Sequence, residues 1–156
     1  MGDPVDRAVP GTLPNATRWR KAFQVVARSL AVSWASPVTL LGLLLVAVAL
    51  ASRGRAARVS GVIEAHGGWL SRLLERATLL PRGVAALTLG HVVLGVDRES
   101  LARHRAHERV HVRQYERWGP LFLPAYAGAS LWAWARGGDP YLDNWFEREA
   151  RARSTA

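Results

Sequence analysis

Between Arg28 and Arg53 the chain runs through residues 29–52, SLAVSWASPVTLLGLLLVAVALAS, without one charged side chain. A helix of about 20 apolar residues crosses the hydrocarbon core of a bilayer, and this run meets that length. It predicts a transmembrane helix, with Pro37 as a kink and with Trp19 and the flanking cations at headgroup level. Cations stand on both sides, Arg18, Arg20, Lys21 and Arg28 before the run and Arg53, Arg55 and Arg58 after it. The side of the membrane that carries the rest of the chain is therefore left open. A cleaved signal peptide is the alternative, because Ala47-Val48-Ala49 and Ala49-Leu50-Ala51 resemble cleavage sites. The length of the run and of the leader before it speaks against that.

Around this segment the chain divides into three parts. Residues 1–17, rich in Pro, Gly and polar groups, are expected to be a disordered leader. Residues 18–52 are the basic flank and the transmembrane helix, and residues 53–156 have the composition of a globular domain. The fold class expected is α+β. Lys21 is the sole lysine among 21 basic residues, a bias that points to a GC-rich bacterial genome. The expected location is thus the bacterial cytoplasmic membrane, single-pass, with membrane lipid as a partner. The formal net charge is +9, but the arginines are scattered among acids with no basic block interleaved with aromatics, so nucleic acid is not an expected partner. Cysteine is absent, which leaves only His, Asp and Glu to hold a metal.

Within the domain, residues 59–66 (VSGVIEAH) and 84–96 (VAALTLGHVVLGV) read as strands, the second with Gly90 as a bulge or a close backbone approach. Residues 69–80 have helical spacing and end at Pro81 and Gly83. Asp97 is a helix N-cap and Glu99 suits the first turn, opening a helix that stops at Gly119-Pro120. The uncharged run 118–135 reads as a buried or membrane-interface helix. A final helix starts near Asp143 or Asn144.

The helix after Asp97 holds His107-Glu108-Arg109-Val110-His111. Histidines four residues apart share one helix face and can bind one metal ion, with the intervening Glu placed to accept a proton from a water on that metal. This is the zincin arrangement, with His107 and His111 as ligands and Glu108 as general base. No His lies downstream of His111, and Arg117 holds the third-His position of the longer HExxHxxGxxH pattern. The third ligand is expected from the last helix. Glu147, which opens a Glu-x-x-Ala element, is preferred, and Glu149 is the alternative. His104 shares the face, but three ligands from one helix rarely reach a tetrahedral geometry. Tyr126, Tyr141 and His91 are equal candidates for a transition-state donor. The arginines of this helix (Arg103, Arg105, Arg109, Arg113 and Arg117) read as one stripe facing solvent or lipid headgroups.

The stretches LTLGHVVLG, LARHRAHERVHVRQYERWGP and DNWFEREA together resemble small bacterial gluzincins, over about residues 85–150. The HExxHxxQ form (His107, Glu108, His111, Gln114) is similar to small zinc peptidase-like domains. The Glu-x-x-Ala element is similar to membrane peptidases of the HtpX and Ste24 type. The resemblance implies a minimal zincin-like domain and a membrane-tethered zinc metallopeptidase. It would bind Zn2+ through His107, His111 and Glu147, with Glu108 as base and a peptide or protein as substrate. A strand around Leu87 to Leu94 would pair with that substrate. A zinc-stabilised interaction module without catalysis is the alternative. The chain departs from the membrane peptidases at Ala150-Arg151, where they often carry Ala-Asp.

Overall fold

The computed structural model describes residues 14–76 and 84–155, with side chains from Arg18 onward. The expectations for residues 1–13 and for the helix end at 77–83 lie outside the described residues. The chain divides into two compact units, Met1–Leu30 and Ala31–Ala156. The described part of the first is helical from Pro14, within the segment expected to lack regular structure, and leaves Trp19, Phe23, Val25, Val26 and Leu30 exposed.

This helix, α1 (Pro14–Ala51), continues into the second unit. Then follow β1 (Arg55–Val59), β2 (Val62–His66), α2 (Trp69–Arg76), β3 (Ala86–Leu89), β4 (Val92–Gly95), α3 (Arg98–Trp118), a 3-10 turn (Gly119–Leu121), α4 (Phe122–Ala135) and α5 (Trp145–Ser154). The molecule is thus mixed α+β, with a small sheet and one long apolar N-terminal helix. Arg18–Ala51 is, among the described residues, the one helix long and apolar enough to cross a membrane, with a mean hydropathy of 2.1 over its most apolar 18 residues.

The sheet has the order β1-β2-β4-β3, with β1·β2 and β3·β4 antiparallel and the central β2·β4 pair parallel. Each of the two strands expected from sequence contains a two-residue hairpin. Val59 pairs with Val62 around Ser60 (φ 46°) and Gly61 (φ 85°), and Leu89 pairs with Val92 around Gly90 (φ 61°) and His91. Hairpin turns need positive φ, which glycine adopts without a Cβ penalty. A short apolar run broken by one glycine does not by itself distinguish a bulged strand from such a turn. Gly90 also makes the close approach expected of it, because a Cβ there would meet the Thr39 hydroxyl at 2.2 Å.

Both faces of the sheet are covered. Val92 and Leu94 of β4 and Ala65 of β2 pack with Val46 and Ala49 of α1 and with Leu70 and Leu74 of α2. Val93 and Val62 face the other way, against Leu101 and Val112 of α3. A third cluster joins Ala35 and Val38 of α1 to Tyr115, Phe122 and Phe146, and so ties α3, α4 and α5 together. Within Ala31–Ala51, then, Ala35, Val38, Gly42, Val46 and Ala49 form one buried stripe at helical spacing, while Leu40, Leu41, Leu44 and Leu50 stay exposed.

Candidate metal centre

Two elements bring the site together. α3 is capped at Asp97, whose side chain accepts from Ser100 N at 2.6 Å, and ends at Gly119. Its inner face carries Glu108, His111, Gln114 and Tyr115, all buried. α5 is capped by Asn144, whose Oδ1 accepts from Phe146 N at 2.9 Å. The Asn144 amide also donates to Tyr126 O and to Ser130 Oγ, which fastens α5 to α4. Ring pairs Tyr115–Phe122 and Phe122–Phe146, with centroids 4.4 Å and 5.1 Å apart, seat α5 against α3. With Phe146 and Ala150 turned into that seam, Glu147 is buried on the same side of α5 and points at the two histidines.

His107 Nε2 lies 3.0 Å from His111 Nε2. Glu147 Oε2 is 3.2 Å from His107 Nε2, and Glu147 Oε1 is 3.2 Å from His111 Nε2. His107, His111 and Glu147 therefore form a group that could hold a metal ion, with one ligand atom from each lying within 4.8 Å of the others. Tetrahedral zinc with bonds near 2 Å sets its ligand atoms about 3.3 Å apart, close to these spacings. Glu147 Oε2 is also buried without a hydrogen-bond partner, as suits an oxygen whose partner is a metal. The residues fit the ion.

Surrounding groups orient these three. The Gln114 amide nitrogen donates to Phe146 O at 3.1 Å and to Glu149 Oε2 at 2.9 Å. Its oxygen is left to accept from His111 Nδ1 at 2.8 Å, so the proton sits on Nδ1 and the Nε2 lone pair faces the centre. Glu149 takes this supporting place, bound to Gln114 and to Arg153, and it is Glu147 that joins the two histidines in the group that could hold a metal. Tyr126 donates to Glu147 Oε1 at 2.8 Å. Burial pushes the Tyr126 hydroxyl above its usual range, with the Glu147 carboxylate adding to the effect, so it remains a donor. Burial alone would raise Glu147, but the His107 and His111 imidazoles facing its two oxygens outweigh that and hold the carboxyl well below the usual range. His111 is raised in turn: burial lowers it, and the hydrogen bond to Glu147 with the nearby carboxylates more than compensates.

These opposite shifts set a pH dependence for the metal-free protein. The depressed Glu147 stabilises the fold above its ordinary value of 4.5, and the raised His111 does so fully below its ordinary 6.5. Both contributions coexist between those values, and that of His111 is lost as pH rises through its raised folded-state value. Urea unfolding in a chelator is expected to show stability falling above neutrality. With zinc present the trend should reverse, because zinc needs the neutral imidazole. Identical profiles with and without zinc would contradict this.

Glu108 is buried beside the pair, and its Oε2 accepts from Thr88 Oγ1 at 2.6 Å. Thr88 lies on β3, an edge strand, so the helix is registered against the sheet edge. Sequence reasoning missed Thr88, which shows no pattern beyond its place in an apolar strand. The arginine stripe is not wholly solvated as expected. Arg105 grips buried Glu64 of β2 through two bonds of 2.9 Å, and Arg109 reaches the carbonyls of Val59 and Ser60. A carboxylate buried in a strand needs such partners, and α3 supplies them. Of the three donors considered, His91 is engaged elsewhere, bonded to Glu116 at 3.1 Å and near Thr39. Tyr126 and Tyr141 are both beside Glu147. His104 turns back to Ser100 O and is not in the group.

No protein-family model matches the chain, and no curated protein and no solved structure matches it significantly.

Proposed function

We propose that the chain is a membrane-tethered zinc metallopeptidase of gluzincin type. The observation that carries this is the approach of buried Glu147 to the two histidines of an HExxH helix, with Glu108 buried beside them and oriented by Thr88. Zinc, when bound, supplies a Lewis acid and brings the pKa of a water to about 7. His107, His111 and Glu147 would hold it. Glu108 would take the proton of the attacking water on the oxygen not engaged by Thr88 and return it to the leaving amine. Thr88 and Gln114 fix the base and one ligand in orientation. Within the segment Leu87 to Leu94, β3 is the strand that would receive an extended substrate, since β4 lies between β2 and β3 and has no free edge. The test is metal content and hydrolysis of a peptide library by the full chain. One zinc per chain with cleavage supports the reading, zinc without cleavage favours the non-catalytic module, and no zinc overturns both.

We read α1 as retained and in contact with lipid. The buried stripe from Ala35 to Ala49 supplies side chains to two core clusters, and cleavage after Ala49 or Ala51 would strip them from the domain. The exposed faces of α1 and α4 are also apolar. On α4 they include Leu123, Leu131, Trp132 and Trp134, and Arg136 stacks over Trp132 with 5.5 Å to the ring centroid. Tryptophan and arginine at the end of an apolar helix suit the headgroup region. Because the chain has no cysteine, single probes can be placed cleanly. In liposomes, a bimane label at Leu44→Cys or Leu131→Cys should be quenched by brominated lipid, whereas one at Arg103→Cys should not. Water-like behaviour at residues 44 and 131 would rule out the membrane reading.

A further inference from the structure

Two buried side-chain atoms lack a hydrogen-bond partner among the described residues: Glu147 Oε2 and Arg151 Nη1. The first faces His107 Nε2 at 3.2 Å and would be a zinc ligand on the proposed reading. The second is a charged donor, buried at its tip, on a side chain 39% exposed overall, which thus reaches inward from solvent to the centre. Its Nη1 lies 3.9 Å from Glu147 Oε2, too far for a hydrogen bond. Closure is opposed by the other side of the guanidinium, where Nη2 donates to Leu142 O. Leu142 is itself held in a turn, with its N–H bonded to Asp139 Oδ1 at 2.7 Å. A buried cationic donor left open costs free energy unless something fills the position, and the place it faces borders the metal carboxylate.

We propose that Arg151 is the electrophilic donor of this site, its Nη1–H binding the oxyanion that forms on the scissile carbonyl. The assignment rests on the zinc hydrolase reading. In the addition step the water oxygen bonds to the carbonyl carbon and the π pair moves onto the carbonyl oxygen, while the water proton passes to Glu108. The charge thus created beside Glu147 is the one Arg151 is poised to meet, and a donor fixed in advance needs no reorganisation. Tyr126, by contrast, has its hydroxyl hydrogen committed to Glu147. Arg151 also stands where the resembling membrane peptidases often carry Asp, so the role belongs to this chain's own sequence.

The experiment titrates zinc-loaded full-length protein with phenylphosphonate, a tetrahedral oxyanion, by calorimetry, after zinc content has been measured. Arg151→Gln should retain zinc and bind the phosphonate about 10- to 100-fold more weakly, the loss expected of one charge-assisted hydrogen bond. Arg151→Lys, which keeps the charge but not the fork, should fall between. Arg148→Gln, an exposed arginine on the same helix, should bind as the parent does. Unchanged affinity in zinc-loaded Arg151→Gln, equal loss in Arg148→Gln, or no phosphonate binding by the zinc-loaded parent would each overturn the assignment and leave the zinc reading standing. A parent chain that takes up no zinc would overturn that reading and this one with it.

Discussion

On the proposed zinc-hydrolase reading, Glu108→Gln is expected to keep zinc and lose hydrolysis, whereas Glu147→Ala is expected to lose the zinc itself. Glu108 is hydrogen-bonded to Thr88 and is not in the ligand group, so its amide isostere preserves the centre and removes only the proton acceptor. A positioned general base contributes about 10²- to 10⁴-fold, and kcat/KM should fall by that factor. Glu147 provides both oxygens that face the histidines, and alanine leaves two imidazoles and no counter-charge. Glu149→Ala separates the two acids of α5. It breaks the Gln114 support and should weaken zinc by about 10- to 100-fold without abolishing it, as supporting groups do. Chelator competition on the four proteins, with peptide cleavage alongside, reads all of this. Stoichiometric, tight zinc in Glu147→Ala would show that the ligand is misassigned.

The largest effect on stability is expected at Gly90→Val. The residue has φ 61°, and a Cβ would stand 2.2 Å from Thr39 Oγ1, 2.7 Å from Thr39 N and 2.9 Å from Thr39 Cα. Two of these three atoms are backbone of α1 and cannot swing aside. A left-handed conformation costs a non-glycine residue about 1–2 kcal/mol, and overpacking adds about 1–3 kcal/mol. The sum, about 2–5 kcal/mol, corresponds to a fall in Tm of roughly 5–20 °C for a chain of this size. The same turn is joined to α1 by the His91 N–H donating to Thr39 Oγ1 at 3.2 Å, so the clash falls on an existing docking point. Gly137→Val is the comparison: φ is 78°, but nothing lies within 4 Å, and only the backbone part of the cost should appear. Equal Tm losses in the two variants would show that the approach of Thr39 does not matter.

Much of this was open to reading from local pattern. The bounds of α3 follow from Asp97 and Gly119, because a capping carboxylate and a C-terminal glycine act within one turn of chain. The pairing of His107 with His111 follows from helical pitch, and the metal donor types from the lack of cysteine. The length and apolarity of α1 needed only a count of residues.

What local pattern could not decide depends on partners far away in sequence. Gly61 and Gly90 make turns because the strands on either side fold back to pair. Arg105 and Arg109 leave the solvated stripe because Glu64, more than forty residues earlier, is buried beneath them. Glu147 faces the histidines, and Glu149 the Gln114 amide, because Phe146 and Ala150 pack into the seam with α3 and so set the rotation of α5. The uncharged residues 29–52 illustrate the division best. Their lack of charge determined an apolar helix and nothing about its neighbours. Only the tertiary structure turned Ala35, Val38, Gly42, Val46 and Ala49 onto the domain, because these small and β-branched side chains let the helix lie close against β4 and α3, and left the leucines facing outward.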